Sequence, residues 1–101
     1  VEDFWMPDLL TAEDIERSLE NLEGWELEGK AIAREFEFET FLSGIAFVVT
    51  VATAAEELNH HPDIDIRYRR VRVAVWTHSA GGLTELDLSL AGRCNELAEE
   101  N

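Results

Sequence analysis

Positive charge is scarce in this chain: eight Lys and Arg residues stand against 22 Asp and Glu, for a formal net charge of −14. Such an excess of acid repels phosphate, which argues against any nucleic-acid partner. Cysteine is almost absent. The lone Cys94 cannot close an internal disulfide, so a secreted disulfide scaffold is excluded. Cys94 falls in the last apolar-periodic segment and is expected to be a small buried residue. The start, Val1-Glu2-Asp3-Phe4-Trp5, is acidic and lacks the basic region and apolar run of a signal peptide. Met6 opens a stretch that reads as an ordinary beginning, and residues 1–8 are expected to form a loosely ordered extension. Long hydrophobic runs are missing too. The longest apolar-rich stretch, Ile45 to Ala55, contains Thr50 and Thr53 and is too short to cross a bilayer, so no membrane partner is expected. Repeats, low-complexity tracts and linkers are lacking. These absences point to a single cytoplasmic domain over residues 1–101. A core of that size is modest, and self-association is a natural source of further stability.

Apolar residues make up 46% of the chain, enough for a globular fold. Thr11 is a helix N-cap, with Glu13 and Asp14 in the first turn and Ile15, Leu19 and Leu22 at helical spacing up to Gly24. Trp25 to Glu28 reads as a short strand and Gly29-Lys30 as a turn. From Ile32 to Glu39 the pattern alternates, with Ile32, Phe36 and Phe38 opposite Glu35, Glu37 and Glu39. Arg34 interrupts the apolar row and suggests the strand's exposed end. Thr40 caps a core helix from Phe41 to about Leu58, whose expected stripe is Phe41, Ile45, Val48, Val49, Ala52 and Ala55. Beyond Pro62, Ile64, Ile66 and Tyr68 alternate as a third strand. Arg69-Arg70 turns the chain, and Val71, Val73 and Val75 form a fourth strand. By parity Tyr68 is expected in the core and Trp76 on the open sheet face. Arg67, Arg69, Arg70 and Arg72 form the one basic cluster, suited to an exposed hairpin face or to an acidic neighbouring subunit. Thr84 caps a last helix with Asp87 at its third position and Leu86, Leu90, Cys94 and Leu97 as its stripe; Leu83 can staple onto Leu88. The order α-β-β-α-β-β-α, with two antiparallel hairpins, predicts an α+β two-layer domain: a four-stranded antiparallel sheet with three helices on one face.

All three histidines, His60, His61 and His78, fall at the edges of elements, beside Pro62 and Gly81-Gly82. Imidazole titrates near neutrality and suits proton transfer. Three histidines with Asp87 also have the chemistry for zinc. However, adjacent side chains on an extended segment point apart, and no His-x-x-x-His pair occurs on a helix, so no metal is expected.

The spacing forms a larger pattern. Glu56 is followed after three residues by His60-His61-Pro62, after five more by Tyr68, after nine by His78 and after eight by Asp87. This pattern, with Thr77-His78-Ser79-Ala80-Gly81-Gly82-Leu83-Thr84 and Gly24-Trp25, closely resembles the pterin-4a-carbinolamine dehydratase family from Leu9 to Ala91. No signature position departs from it, although Trp76 stands where that family usually has a smaller residue. The resemblance implies a hydro-lyase that converts 4a-hydroxytetrahydropterin to quinonoid dihydropterin without a cofactor. It implies His60 and His78 as the acid/base pair and His61 as a holder of the pterin. Asp87 fixes an imidazole tautomer as well as capping its helix, which requires its two oxygens to be shared. Asn59, Pro62, Thr77, Ser79 and Ala80 line the substrate pocket with the histidines, and Glu56 and Tyr68 support it. A homodimer or homotetramer is implied. Two alternatives remain at this level: a non-catalytic dimerisation module of the same fold, and a dehydratase-like protein acting on another pterin.

Overall fold

The computed structural model describes residues 8–101. The expected N-terminal extension, Asp8 apart, lies outside the described residues. Seven elements follow one another: α1 (Ala12–Leu19), β1 (Glu26–Glu28), β2 (Ala31–Glu37), α2 (Phe41–Leu58), β3 (Asp63–Arg67), β4 (Arg70–Val75) and α3 (Glu85–Glu99). This is the α+β order expected. The sheet is fully antiparallel in the order β1-β2-β4-β3, so each sequence-local hairpin supplies one edge strand and one central strand.

Register follows from the apolar alternation. Ile32 faces Val75 and Phe36 faces Val71 across β2 and β4, which gathers the apolar side chains on one face. Helices α2 and α3 cover that face with Phe47, Val51, Leu90, Ala91, Cys94 and Leu97. Phe36 and Phe38 both pack against the Phe47 ring, with centroids 4.8 and 5.0 Å away. Cys94 is fully buried, and burial pushes its thiol up to about 12. Each helix begins at a threonine whose hydroxyl accepts a backbone N–H, in a reciprocal capping box: Thr11, Thr40 and Thr84.

Four local expectations are corrected. First, α1 stops at Leu19, and Leu22 lies in the following turn while still packing on the core. Second, the buried face of α2 is shifted from the expected stripe: Gly44, Phe47, Val51, Ala54 and Ala55 are buried and Val48 packs on the core, so Val48 and Ala55 are as expected, whereas Phe41, Val49 and Ala52 are exposed. The helix is apolar nearly all round, so periodicity alone does not select its buried side. Its 18 residues, with mean hydropathy 1.5, are long and apolar enough to span a membrane, yet it serves as the core helix of this domain. Third, Arg34 is not at a strand end. It sits mid-strand opposite Val73, its guanidinium 4.4 Å above the Phe36 ring. Its Nη1 donates to the Glu23 carbonyl at 2.8 Å and to Asn95 Oδ1 at 2.7 Å, while Trp25 Nε1 donates to the same Asn95 oxygen at 2.8 Å. This clasp ties the α1–β1 turn, β2 and α3 together. Fourth, Tyr68 is not core. It occupies the β3–β4 turn with φ +54° and is 72% exposed.

The opposite sheet face is charged. Arg67, Arg69 and Arg70 lie 3.5, 3.6 and 3.8 Å from Asp65, Glu37 and Glu35, and Arg72 bonds Glu28. That bond to Glu28 raises the Arg72 guanidinium further above its ordinary value. The basic cluster is thus answered by carboxylates of its own chain. Each exposed pair contributes about 0–1 kcal/mol.

Candidate active site

Two loops meet at one end of the sheet. The first leaves α2. Asn59 adopts the left-handed conformation (φ 51°, ψ 45°) that ends a helix, its N–H bonding to the carbonyls of Ala55 and Glu56. His60 N–H also donates to the Ala55 carbonyl, at 3.0 Å. The chain therefore turns sharply into His60-His61-Pro62. Asn59 was expected as a pocket residue from sequence, and its visible work is this turn. The second loop follows β4: Thr77 pairs with Gly82 in an isolated bridge, and His78 to Gly81 form the tip, with Gly81 at φ +79°. The register Asp63↔Ala74 sets the two loops side by side.

Asp87 lies beneath them, 0% exposed. Its Oδ1 is 2.6 Å from His60 Nε2, and its Oδ2 accepts from the Thr84 N–H at 2.9 Å and the Thr77 hydroxyl at 2.8 Å. The helix cap and the histidine contact thus use different oxygens. An ionised carboxylate can only accept, so Nε2 of His60 carries a proton, and in the neutral imidazole the lone pair is then on Nδ1. The Thr77 hydroxyl is committed to Asp87, so its oxygen accepts from Thr84 Oγ1 at 2.8 Å. Thr84 Oγ1 in turn accepts the Leu86 N–H at 3.2 Å. A chain of oriented hydrogen bonds therefore runs from the start of α3 to the His60 ring, whose side chain is only 11% exposed. Such a buried, satisfied network holds one geometry.

The other two histidines are held differently. His61 Nε2 is 2.6 Å from Glu56 Oε2, and both side chains are open to solvent. Glu56 is therefore paired with a histidine of this loop rather than standing free. His78 is exposed, and its ring stacks on Trp76 with centroids 3.9 Å apart and planes 26° apart. Lys30 Nζ is 5.5 Å from the Trp76 centroid.

The structure thus links His60, Asp87 and Thr77 directly, through a 3.5 Å approach of Thr77 Oγ1 to His60 Nε2 as well as the bonds above. It places His78, Ser79 and Ala80 on the loop that Thr77 anchors. Pro62 is half-buried beside His61. Tyr68 is not brought to the histidines of its own chain. It stands at the far end of β3, five residues of strand away. Among the described residues no group of three or more His, Cys, Asp or Glu is arranged to hold a metal ion. Sequence reasoning missed the Thr77 hydroxyl and the Trp76–His78 stack. Both were signalled by parity, since alternation after Val75 turns Thr77 inward and puts Trp76 and His78 on one side.

Comparison with known proteins shows the family. The family model described as pterin 4 alpha carbinolamine dehydratase matches residues 8–97. A protein from Acidobacterium capsulatum whose name assigns it as a pterin-4-alpha-carbinolamine dehydratase is 51% identical over 88 residues, covering 87% of this chain and 96% of its own length. One from Mycobacterium tuberculosis with the same name is 48% identical over 83 residues, covering 82% and 88%. The crystal structure of a transcriptional coactivator/pterin dehydratase from Brucella melitensis superposes with a TM-score of 0.87 at 39% identity, covering 90% of this chain and 99% of that one. The chain belongs to the pterin-4-alpha-carbinolamine dehydratase family.

Proposed function

We propose that the protein is a hydro-lyase that removes water from 4a-hydroxytetrahydropterin to give quinonoid dihydropterin, by histidine acid/base catalysis. The observation that carries this reading is the buried Asp87 carboxylate bonded to His60 Nε2, with both of its oxygens engaged. A pure binding module has no use for an imidazole whose tautomer is tied down in this way. In the reaction one imidazole delivers a proton to the C4a hydroxyl and another removes the N5 proton. The C4a–O bond breaks, oxygen departs as water, and the N5 electron pair closes the N5=C4a double bond. His60, acting through its free Nδ1, and His78 form the acid/base pair. His61, held by Glu56, positions the pterin ring against Pro62 and the segment from Thr77 to Ala80; Asn59 shapes the rim. General acid–base catalysis of this kind contributes about 10²–10⁴-fold.

The enzyme works in the cytoplasm as a homodimer or homotetramer and needs no added cofactor. The reading is tested by following loss of 4a-hydroxytetrahydropterin with and without protein, before and after exhaustive chelation. His60→Ala and His78→Ala should each lower kcat, whereas His61→Ala should mainly raise KM. Dehydration no faster with protein than without it would overturn the assignment. Activity lost to chelator and restored by zinc would overturn the metal-free chemistry.

A further inference from the structure

No carboxylate among the described residues holds His78. Among the described residues, its ring makes no hydrogen bond with a protein group, and it sits exposed on a loop tip. His60 and His61, in contrast, each have a carboxylate at 2.6 Å. An acid/base group on a mobile rotamer spends much of its time out of line with the reacting atoms, and small misplacements are costly in rate. What restrains this ring is the indole of Trp76, stacked at 3.9 Å and 26°. The indole is itself half-buried against the core, and it has Lys30 Nζ 5.5 Å from its centroid. The platform follows from strand parity. Thr77, between the two rings, is pulled inward by its bond to Asp87, so residues 76 and 78 must both turn outward on the same side.

We propose that Trp76 is a positioning residue for His78: its indole face holds the imidazole in the orientation that proton transfer requires, the part that Asp87 plays for His60. The proposal rests on the dehydratase reading and adds to it a residue outside the motif on which that reading stands. It assigns the bulky side chain at this position a task that a small residue there cannot perform.

A stacked aromatic pair is worth about a three- to tenfold change in population. Trp76→Leu, which keeps apolar bulk without a π-face, should therefore lower kcat by about three- to tenfold with little change in KM. Trp76→Phe should restore most of the loss. In a His78→Ala background, Trp76→Leu should change kcat by less than about twofold, because there is no ring left to position. The His78 ring protons should be shifted upfield by the indole ring current in the wild type and lose that shift in Trp76→Leu. Equal losses in kcat with and without His78, or an effect confined to KM, would overturn the proposal and make Trp76 a wall of the pocket. An inactive wild-type protein would instead overturn the dehydratase reading, and the proposal with it; the ring-current shift then still tells whether the stack exists.

Discussion

Asp87→Asn is the sharpest test of the buried network. The substitution keeps shape and removes one acceptor. Three donors converge on the carboxylate: Thr84 N–H, the Thr77 hydroxyl and His60 Nε2. An amide has one carbonyl oxygen and one NH2 group. If the oxygen keeps the two donors at the Oδ2 position, the NH2 faces His60 Nε2, which must then surrender its proton and accept. The histidine flips to its other tautomer, and Nδ1, the nitrogen proposed to exchange protons with the substrate, becomes protonated at rest. Inversion of this kind in a serine-protease triad costs about 10⁴ in kcat. With about 10²–10⁴ available from acid–base catalysis as a whole, a loss of about 10² or more is expected here. Stability falls as well. Two hydrogen bonds to a charged acceptor become bonds to a neutral one, at about 1 kcal/mol each, and the anion near the α3 N-terminus is lost, for a total of about 2–3 kcal/mol. For a domain of this size that is a fall of roughly 10–20 °C in Tm. Steady-state kinetics, a thermal melt by circular dichroism and ¹⁵N shifts of the His60 ring measure the three effects separately. A variant that folds, keeps Nε2 protonated and retains kcat within twofold of the wild type would refute the tautomer argument.

Gly24 sits at φ +85°, where an added Cβ would lie 2.4 Å from Arg34 Nε, whereas Gly29 at φ +61° has nothing within 4 Å. Gly24→Ala should lower the urea midpoint by about 1–3 kcal/mol worth of stability and more than Gly29→Ala does, since only the former disturbs the Arg34 clasp; equal effects would remove the clasp from the account. Cys94 ionises near 9 in the unfolded chain and near 12 when buried, so its contribution is whole below about pH 9 and is lost as pH rises toward about 12. In that window the wild type should lose stability by up to about 1.4 kcal/mol per pH unit more steeply than Cys94→Ala, measured by denaturant titration, and the thiol should resist alkylation until the protein unfolds. Phe41, Leu42 and Val49 are exposed on α2. Sedimentation at micromolar concentration should therefore find a dimer or tetramer that Leu42→Glu weakens; a sole 11.4 kDa species in the wild type would contradict self-association.

What could be read from the sequence was what depends on near neighbours. Threonine caps act within three residues, so Thr11, Thr40 and Thr84 marked their helices correctly. Both hairpins followed from period-two alternation closed by short turns. The errors share a cause, which is that the deciding partner is remote or the local code is silent. Arg34 reads as a strand end until Asn95, 61 residues on, comes back to receive it. Tyr68 reads as core because a positive φ at a tyrosine carries none of the Gly or Asn chemistry that announces a turn. For α2 the apolar pattern is too full to choose a face. The site divides along the same line. The spacing of His60, His78 and Asp87 brought out the residues, but not which atoms meet. That depends on Thr77, which strand parity turns inward after Val75 to a depth where a hydroxyl cannot stay unpaired. Its acceptor is Asp87, whose other oxygen holds His60, while the neighbours of Thr77 on either side are turned outward and stack. One inward threonine thereby sets the surroundings of both proposed proton-transfer groups, and loss of its hydroxyl should disturb His60 through Asp87 before it disturbs the fold.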